Sequence, residues 1–425
     1  MRSETGKVQK VIKTEIIKSL IKCTLFLMLF VLWPLAGWTQ TNKAVPRVEG
    51  NASALGRNLY EITADAAAGS SVSGLRRELE LRFDVYNRLF RFDPSRLAAP
   101  LRVRVFGDKT AYDKYIVDRL GETRPGAVYL HYNEGARREL VINQGSPDAG
   151  SVVSHQAFIQ YLRAFVPNPP GWMREGFAIY FSTLSVDAQG KTNYEENLLY
   201  LDPAKSLGGK LPSAKTILSS DVSKTPPKNG PQDSTGVPED FQIASWALVS
   251  FLLSGNQDYF RALTDSFMLL SPSAGAAANS QAVLNRFAVW YNFDAMDRDF
   301  RAYLVSRKTY RELIEDGQKA YSLGDSMNAE LAFMTAMDQR PSEYAPYYYL
   351  GLISYGEKDY DTAEQYYLSS LAKGADEALV NYALGVNAAA AGRAKDAGDY
   401  LRKAARADPA KYQTKVDELL KKIGE

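Results

Sequence analysis

The first part of the chain contains apolar patterns typical of both strands and helices. Leu101 to Phe106 alternates apolar and charged positions, which predicts a strand, and Leu59 to Ile62 predicts a shorter one. Ala127 to Tyr132 and Glu139 to Asn143 predict the two strands of a hairpin. Apolar residues three and four positions apart predict a long helix over Val72 to Phe92. These patterns together predict a small sheet with helices.

Helical patterns dominate the middle of the chain. Val152 to Phe165 and Gly171 to Leu184 predict two helices that a proline-rich turn separates. Phe241 to Leu253 predicts another helix, and further helical pieces follow as far as Val305. The stretch from Lys224 to Pro238 is rich in Pro, Gly, Ser, Thr and Asn, which predicts a surface loop. We therefore expect a helical subdomain after the sheet.

A 34-residue period runs through the C-terminal region. Glycine recurs at this spacing, and so do one column of alanine and one column of bulky residues. The three columns are Gly317, Gly351 and Gly385; Ala329, Ala363 and Ala397; and Phe333, Tyr367 and Leu401. Small residues that recur in phase with bulky ones are what close crossings of paired helices require.

These columns resemble the tetratricopeptide repeat, in which each unit is a pair of helices. The resemblance implies an all-α solenoid with three repeats over residues 307–409. Residues 410–425 predict an amphipathic helix that caps the stack with a polar outer face. The chain departs from the family pattern at Asp316, where Leu is usual, and at Ala375, which replaces the closing Pro.

In the register of that resemblance, the first helix of each repeat lines a concave groove. The predicted groove residues are Gln318, Tyr321, Tyr348, Leu352, Tyr355, Tyr382 and Val386. Tyrosine offers rigid, amphipathic contact area and is enriched at binding hot spots. We expect a protein or peptide partner in this groove, either a short peptide or one helix. The alternative is that several of the tyrosines pack against a neighbouring repeat or the preceding domain.

The N-terminal residues predict a secretory signal. A basic stretch up to Lys22 precedes an apolar run from Cys23 to Trp38, and Gly37 and Thr39 suit the small-residue positions of a cleavage site. We therefore expect residues 1–39 to be a signal peptide and the chain to be exported to the periplasm or envelope of a bacterium. The alternative is an uncleaved anchor, and only in that case is a membrane an expected partner.

The composition excludes several classes of function. With 51 basic and 49 acidic residues the formal charge is +2, so no strong field gathers phosphates and nucleic acid is not an expected partner. Two His and one Cys exclude iron–sulfur clusters, zinc sites built on several cysteines and a disulfide framework. Any histidine chemistry must use His131 or His155.

Two segments flank the proline-rich turn and carry the candidate chemistry. His155 to Ile159 has the sequence HQAFI, and Trp172 to Ala178 has the sequence WMREGFA. Together they resemble the gluzincin metallopeptidases, particularly the peptidase-MA-like domain, whose pattern is HExxH followed by W-x-x-E-G-x-A. The resemblance covers roughly residues 100–255 and implies an α+β, zincin-type domain over residues 45–306. We expect Gly176 to serve helix packing.

The resemblance also implies which catalytic groups are missing. In the family's motif, two histidines one helical turn apart and a glutamate on the next helix hold zinc, while a glutamate beside the first histidine activates water. His155 and Glu175 occupy the first and third ligand positions, but Ile159 occupies the second and Gln156 replaces the base. We therefore expect a vestigial site with no catalytic residue, no metal and no cofactor.

Two other interpretations remain open. The chain is an active zinc peptidase if His131 replaces the missing imidazole and binds metal with His155 and Glu175. It is a module that binds peptides or cell-wall components if Gln156 and Glu175 contact a ligand in the old cleft. Without a metal, His155 is expected to be buried and hydrogen-bonded to Glu175. The favoured prediction is an exported, inactive, metallopeptidase-like scaffold whose repeats bind protein partners.

Overall fold

The fold is described from a computed structural model, which covers residues 59–69, 72–146, 149–220 and 236–425. The internal contacts divide the chain into Met1–Arg47 and Val48–Glu425, and the described residues all belong to the second unit. The predicted signal peptide and most of the predicted loop lie outside the described residues. Within the described ranges, no helix has the length and apolar character needed to cross a bilayer.

The element order is a mixed α and β region followed by helices. The strands are β1 (Tyr60–Ala64), β2 (Leu101–Phe106), β3 (Ala127–Leu130), β4 (Glu139–Asn143), β5 (Ser185–Val186) and β6 (Thr192–Asn193). The helices before the repeats are α1 (Val72–Phe90), α2 (Lys109–Leu120), α3 (Ala149–Phe165), α4 (Gly171–Tyr180), α5 (Leu201–Leu207), α6 (Ala214–Ser219), α7 (Glu239–Ser254), α8 (Gln257–Phe267), α9 (Ala276–Trp290) and α10 (Phe293–Ser306). The later helices are α11 (Tyr310–Ser322), α12 (Ser326–Gln339), α13 (Ala345–Gly356), α14 (Tyr360–Ala372), α15 (Glu377–Ala390), α16 (Ala394–Ala407) and α17 (Pro409–Ile423).

A four-stranded mixed sheet has the order β1-β2-β4-β3. β1, β2 and β4 run parallel, and β3 pairs antiparallel with β4, which confirms the predicted hairpin. Alternate residues of each strand face opposite sides of the sheet. Val128 and Leu130 pack with α2, whereas Tyr129 lies in the larger core with α1 and α3. The edge strand β3 is therefore covered on both faces.

Aromatic residues join α1, α3 and α4 in the core. The ring centroids of Tyr86 and Phe158 are 5.3 Å apart, and those of Phe90 and Phe177 are 5.0 Å apart, both edge-on. The Tyr86 hydroxyl also donates to the Ser154 carbonyl oxygen at 2.9 Å. Each aromatic pair adds roughly 0.5–1.5 kcal/mol to the burial of its surface. These contacts fix α3 and α4, the two helices that carry the candidate site.

A glycine determines how closely α4 packs against α7. A Cβ at Gly176 would lie 2.4 Å from the Ser245 carbonyl oxygen and 2.7 Å from Cγ2 of Val249. The two helices can approach this closely because glycine has no side chain. Trp172 on α4 and Trp246 on α7 are both fully buried. The contact holds α4 in the centre of the domain, in agreement with the packing role expected for Gly176.

The C-terminal helices form three pairs, α11 with α12, α13 with α14 and α15 with α16, and one packing arrangement recurs in each pair. A Cβ on the recurring glycine would lie within 2.6–2.7 Å of a carbon of the bulky residue, in the pairs Gly317–Phe333, Gly351–Tyr367 and Gly385–Leu401. The recurring alanines Ala329, Ala363 and Ala397 are fully buried. This common packing confirms tetratricopeptide-like helical repeats.

The turn inside each repeat has the same backbone geometry. Gly324, Lys358 and Gly392 occupy equivalent positions and have φ angles of 75°, 66° and 78°. This left-handed conformation suits glycine, whereas it costs another residue roughly 1–2 kcal/mol. The second repeat therefore keeps the turn despite a lysine, which shows that helix pairing overrides the local preference.

The two ends of the repeat stack are held differently. At the C-terminal end α17 buries Tyr412 and Val416. At the other end Glu312 accepts hydrogen bonds from Lys205 of α5 at 2.7 Å. Glu312 also completes a capping box with Thr309 at the start of α11. The first repeat is thus tied to the preceding domain by a residue that caps its own helix.

Candidate functional site

The predicted site residues lie on two neighbouring helices. His155, Gln156 and Ile159 are on α3, and Glu175 is on α4. Burial lowers the pKa of His155. The negative charge of Glu175 acts in the opposite direction and raises this pKa, whereas the positive charge of Arg174 also lowers it. Both residues of α4 are therefore within electrostatic reach of the His155 imidazole.

The charged partner of Glu175 is Arg174. The Arg174 Nε donates to Oε1 of Glu175 at 2.6 Å, and the two side chains are only 4% and 0% exposed. Oε2 of Glu175 has no hydrogen-bond partner among the described residues. The hydrogen bond expected between His155 and Glu175 is therefore not formed. The physical reason is that a guanidinium is a stronger, permanently charged donor than a neutral imidazole.

The other two motif positions on α3 have structural contacts. Oε1 of Gln156 accepts a hydrogen bond from the backbone N–H of Tyr129 at 2.9 Å. Because β3 is an edge strand, this side chain satisfies a donor that lacks a neighbouring strand. Ile159, at the position of the second metal ligand, is buried in the main core. Both side chains thus stabilise the fold at positions where the family's motif supplies chemistry.

His131 directly follows β3 and lies on the same side of the sheet as Tyr129, with ring centroids 5.9 Å apart. It is 4% exposed, and its Nδ1 has no hydrogen-bond partner in the described part of the chain. Burial, together with the positive charges of Arg163, Arg138 and Arg174, lowers the pKa of His131 to about 2. The imidazole is therefore neutral and lies among positive charges.

The alternative metal site is not assembled. Within the described ranges, no three side chains of the ligand types His, Cys, Asp and Glu are grouped so that they could hold a metal ion. The proposed set of His131, His155 and Glu175 therefore needs correction. Arg174 explains the difference in physical terms, because it is paired with Glu175 and its charge repels a cation at this place.

The sequence interpretation missed two buried arginines. Arg163 is 5% exposed, and burial together with the nearby Arg174 lowers its pKa to about 9. A signal for Arg163 was present, because residues four apart share a helix face and Arg163 follows His155 and Ile159 at that spacing. Arg174 could have been suspected from its place next to Glu175. Among the described residues the candidate site is thus buried and mainly cationic.

The predicted groove residues remain accessible. Tyr321 is 38% exposed, Gln318 is exposed, and the other five are half-buried. Burial raises the pKa of Tyr367, and the hydroxyls of Tyr348, Tyr321 and Tyr355 raise it further. Tyrosines from the first two repeats therefore surround one buried phenol. We call the surface formed by the seven predicted residues the groove face.

The base of the groove face is packed against neighbouring helices. The ring centroids of Tyr348 and Tyr367 are 5.8 Å apart, and those of Tyr382 and Tyr412 are 5.0 Å apart. Nε2 of Gln318 donates to the Tyr349 hydroxyl at 2.9 Å, which links the first two repeats. The alternative of packing within the repeats is therefore partly realised. The groove face is held in place from below and remains partly open to solvent.

No family model matches this chain, and no curated protein matches it. Solved tetratricopeptide-repeat structures are similar to part of it. The first TPR of Spaghetti (RPAP3) bound to the HSP90 peptide SRMEEVD is 17% identical, with 27% of this chain and 92% of that one covered and a TM-score of 0.26. The Yersinia enterocolitica type III secretion chaperone SycD, in complex with a peptide of the translocator YopD, is 18% identical to this chain. The match covers 28% of this chain and 95% of that one, and the TM-score is 0.26. The Arabidopsis OM64 TPR domain is 16% identical, with 27% of this chain and 93% of that one covered and a TM-score of 0.25.

Proposed function

We propose that this chain is an exported, catalytically inactive, metallopeptidase-like scaffold that binds a protein or peptide through the groove face of its repeats. The main observation in support is the row of half-buried tyrosines that neighbouring helices hold in place. The side chains of such a surface are already ordered before binding, so the binding of a partner costs little additional free energy for ordering them.

Three side chains support the loss of catalysis. Ile159 offers no lone pair at the second ligand position, and the Gln156 side chain is bound to an edge strand. Glu175, at the third ligand position, is paired with Arg174. Since zinc peptidases need three protein ligands and a base, each of these three side chains removes one requirement of the mechanism.

The chemistry of the groove face favours an uncharged contact surface on the partner. All seven groove residues are neutral, and a charge buried against them would lose water without gaining a counter-charge. Helices that pack side by side are about 8–10 Å apart, so three first helices and the cap span roughly 25–30 Å. That length matches about five turns of a helix. The apolar face of a single amphipathic helix is therefore the partner that fits best.

The test is the binding of peptides selected by display on the purified chain. Tyr348→Ala should weaken the best peptide at least tenfold, or about 1.4 kcal/mol, because it removes an aromatic contact at the centre of the groove face. Tyr344→Ala is the matched control, since Tyr344 is 42% exposed and lies outside the groove residues. Equal effects of the two substitutions would refute the groove as the binding site.

Export is a separate part of the proposal and rests on residues 1–39. Expression of the full chain in a Gram-negative host should yield a periplasmic protein whose N-terminus follows Thr39. Retention of the apolar run in the purified protein would support the anchor alternative instead.

A further inference from the structure

The outer side of α12, the second helix of the first repeat, carries large apolar side chains that are exposed to solvent. Met327 is 75% exposed and Leu331 is 64% exposed, and Met334 is exposed as well. Leu323, just before this helix, and Leu368, on the second helix of the next repeat, are also exposed. We call these five residues the apolar stripe. Single exposed apolar residues are common, but several together on one helix side mark an interaction surface.

The apolar stripe lies opposite the buried side of α12. Ala329, Phe333 and Ala336 are fully buried on that side. Phe333 contacts Gly317 of α11 and stacks on Tyr349 of α13, with ring centroids 4.7 Å apart. Residues three and four positions apart share one side of a helix, so the exposed residues of α12 face away from both of these helices. A partner on the stripe would therefore not occupy the groove face.

The repeat fold itself does not require an apolar outer side. The positions equivalent to Met327, Leu331 and Met334 are Asp361, Gln365 and Leu368 in the second repeat and Lys395, Asp399 and Arg402 in the third. The buried alanine and the bulky residue recur in all three repeats, but the exposed apolar residues do not. The apolar stripe is therefore a feature of the first repeat that reaches the second at Leu368.

Carboxylates lie next to the apolar stripe. Glu330 and Asp338 are on α12 within one turn of its apolar residues, and Asp361 is on α14. Tyr366 of α14 packs against the core cluster that contains Phe333, which places α14 beside α12. The three carboxylates are exposed, and α12 and α14 contain no Lys, Arg or His. The stripe is thus an apolar surface with acidic flanks.

We propose that the apolar stripe binds a basic amphipathic helix of a partner protein. The apolar side of such a helix would pack against the methionines and leucines, and its Lys or Arg residues would approach Glu330, Asp338 and Asp361. Methionine is unbranched and flexible, so it adapts to the shape of an incoming side chain. Opposite charges across the edge of an interface speed association and select against an acidic partner. This surface is additional to the groove face and independent of it.

A second copy of the chain suits the stripe less well. In a two-fold dimer, residues near the symmetry axis face the same residues of the other copy. Two paired stripes would therefore bring Glu330, which is next to the central Leu331, close to the same residue of the other copy. Like charges that face each other across an interface are unfavourable. The acidic flanks thus favour a basic partner over self-association.

Two helical peptides test this choice on the purified chain. Both are capped at their ends, have about four turns and carry leucine along one side. One has lysine on the flanks, and the other has glutamate at the same positions. In fluorescence anisotropy the lysine peptide should bind at least tenfold more tightly than the glutamate peptide, and added NaCl should reduce the difference. The seven groove residues are neutral, so binding in the groove would not separate the two peptides by charge.

Substitutions then locate the binding site. Leu331→Lys should weaken binding of the lysine peptide at least tenfold, because it places a positive charge in the apolar contact. The matched control is Leu199→Lys, since Leu199 is 56% exposed and lies before the repeats, and it should change binding less than twofold. The double variant Glu330→Lys with Asp338→Lys should reverse the preference between the two peptides.

Three results would overturn the proposal. The first is equal binding of the two peptides by the wild-type chain, and the second is an equal effect of Leu331→Lys and Leu199→Lys. The third is self-association of the chain in analytical ultracentrifugation that Leu331→Lys abolishes, which would assign the stripe to a dimer. All of the substituted residues are exposed, and melting temperatures check that each variant folds. If Leu331→Lys does not fold, the comparison of the two peptides on the wild-type chain still decides.

Discussion

Neutralisation of Glu175 by Glu175→Gln tests whether its pairing with Arg174 is the interaction that stabilises the buried candidate site. The substitution keeps the shape and one acceptor oxygen but removes the negative charge. Two unit charges about 4 Å apart attract each other by about 4 kcal/mol at an effective dielectric constant of 20. Loss of one partner leaves a buried guanidinium that is 4% exposed. We expect a loss of about 3–5 kcal/mol in the free energy of unfolding.

The double variant Arg174→Met with Glu175→Met separates the ion pair from simple packing. Both charges disappear together, so no unpaired charge stays in the core. Replacement of a buried pair by apolar groups of similar volume is often neutral or stabilising. The double variant should therefore be more stable than Glu175→Gln by at least about 2 kcal/mol, although it changes more atoms.

Tryptophan fluorescence during urea unfolding is a suitable assay. After residue 39 the tryptophans are Trp172, Trp246 and Trp290, so all of them precede the repeats. Trp172 is on α4, next to the pair itself. Fluorescence therefore follows the unfolding of the domain that contains the site. A loss below about 1 kcal/mol for Glu175→Gln, or equal losses for the single and double variants, would refute the reasoning.

Three further predictions follow from the same region. In urea unfolding, Gly176→Ala should destabilise the domain by about 1–3 kcal/mol, because the added Cβ would meet the Ser245 backbone. The control is Gly74→Ala, where the added Cβ meets no atom within 4 Å, and it should stabilise α1 by up to about 1 kcal/mol. The folded-state pKa of His131 is about 2, far below about 6.5 in the unfolded chain, so below pH 6.5 the unfolded state binds a proton that the native state does not. Stability should therefore fall by up to about 1.4 kcal/mol per pH unit from this residue between pH 6.5 and 4, and urea midpoints of His131→Asn should fall less steeply. Ile159→His alone should gain little zinc affinity, because the Glu175 carboxylate is ion-paired with Arg174. The double variant Ile159→His with Arg174→Met should bind zinc in calorimetry, and zinc should raise its melting temperature. Equal zinc affinity of the two variants would contradict a competing role for Arg174.

The sequence predicted those elements whose periodicity is strong. β2 was predicted with its observed bounds because alternate burial along a strand leaves a period of two in the sequence. The repeats were predicted because each glycine and its bulky partner recur with the same spacing and make the same contact. α4 ends at Tyr180, before the predicted Leu184, because a short 3-10 turn at Phe181–Thr183 follows it. Helix ends depend on such local hydrogen bonds, which periodicity does not encode.

The candidate site was less predictable for a different reason. Periodicity shows which face of a helix a residue occupies, but it does not show which neighbour its side chain selects. Glu175 was expected to bond to His155, yet it pairs with Arg174 on its own helix. Gln156 was expected to be a vestige of the base, and it also satisfies the edge of β3. Such choices depend on the competition between donors, which only the three-dimensional arrangement decides.

The departures from the metallopeptidase pattern are physically coupled in the proposed scaffold. A zinc ion would neutralise the fully buried Glu175, and Ile159 in place of the second imidazole weakens zinc binding. A buried carboxylate without a cation is costly, so the fold then requires another positive charge at the same place. Arg174 supplies that charge at 2.6 Å without the need for further ligands. In the proposed scaffold the apolar second position and the neighbouring arginine therefore form one structural solution, in which the Arg174 side chain supplies the positive charge that zinc supplies in the metallopeptidase pattern.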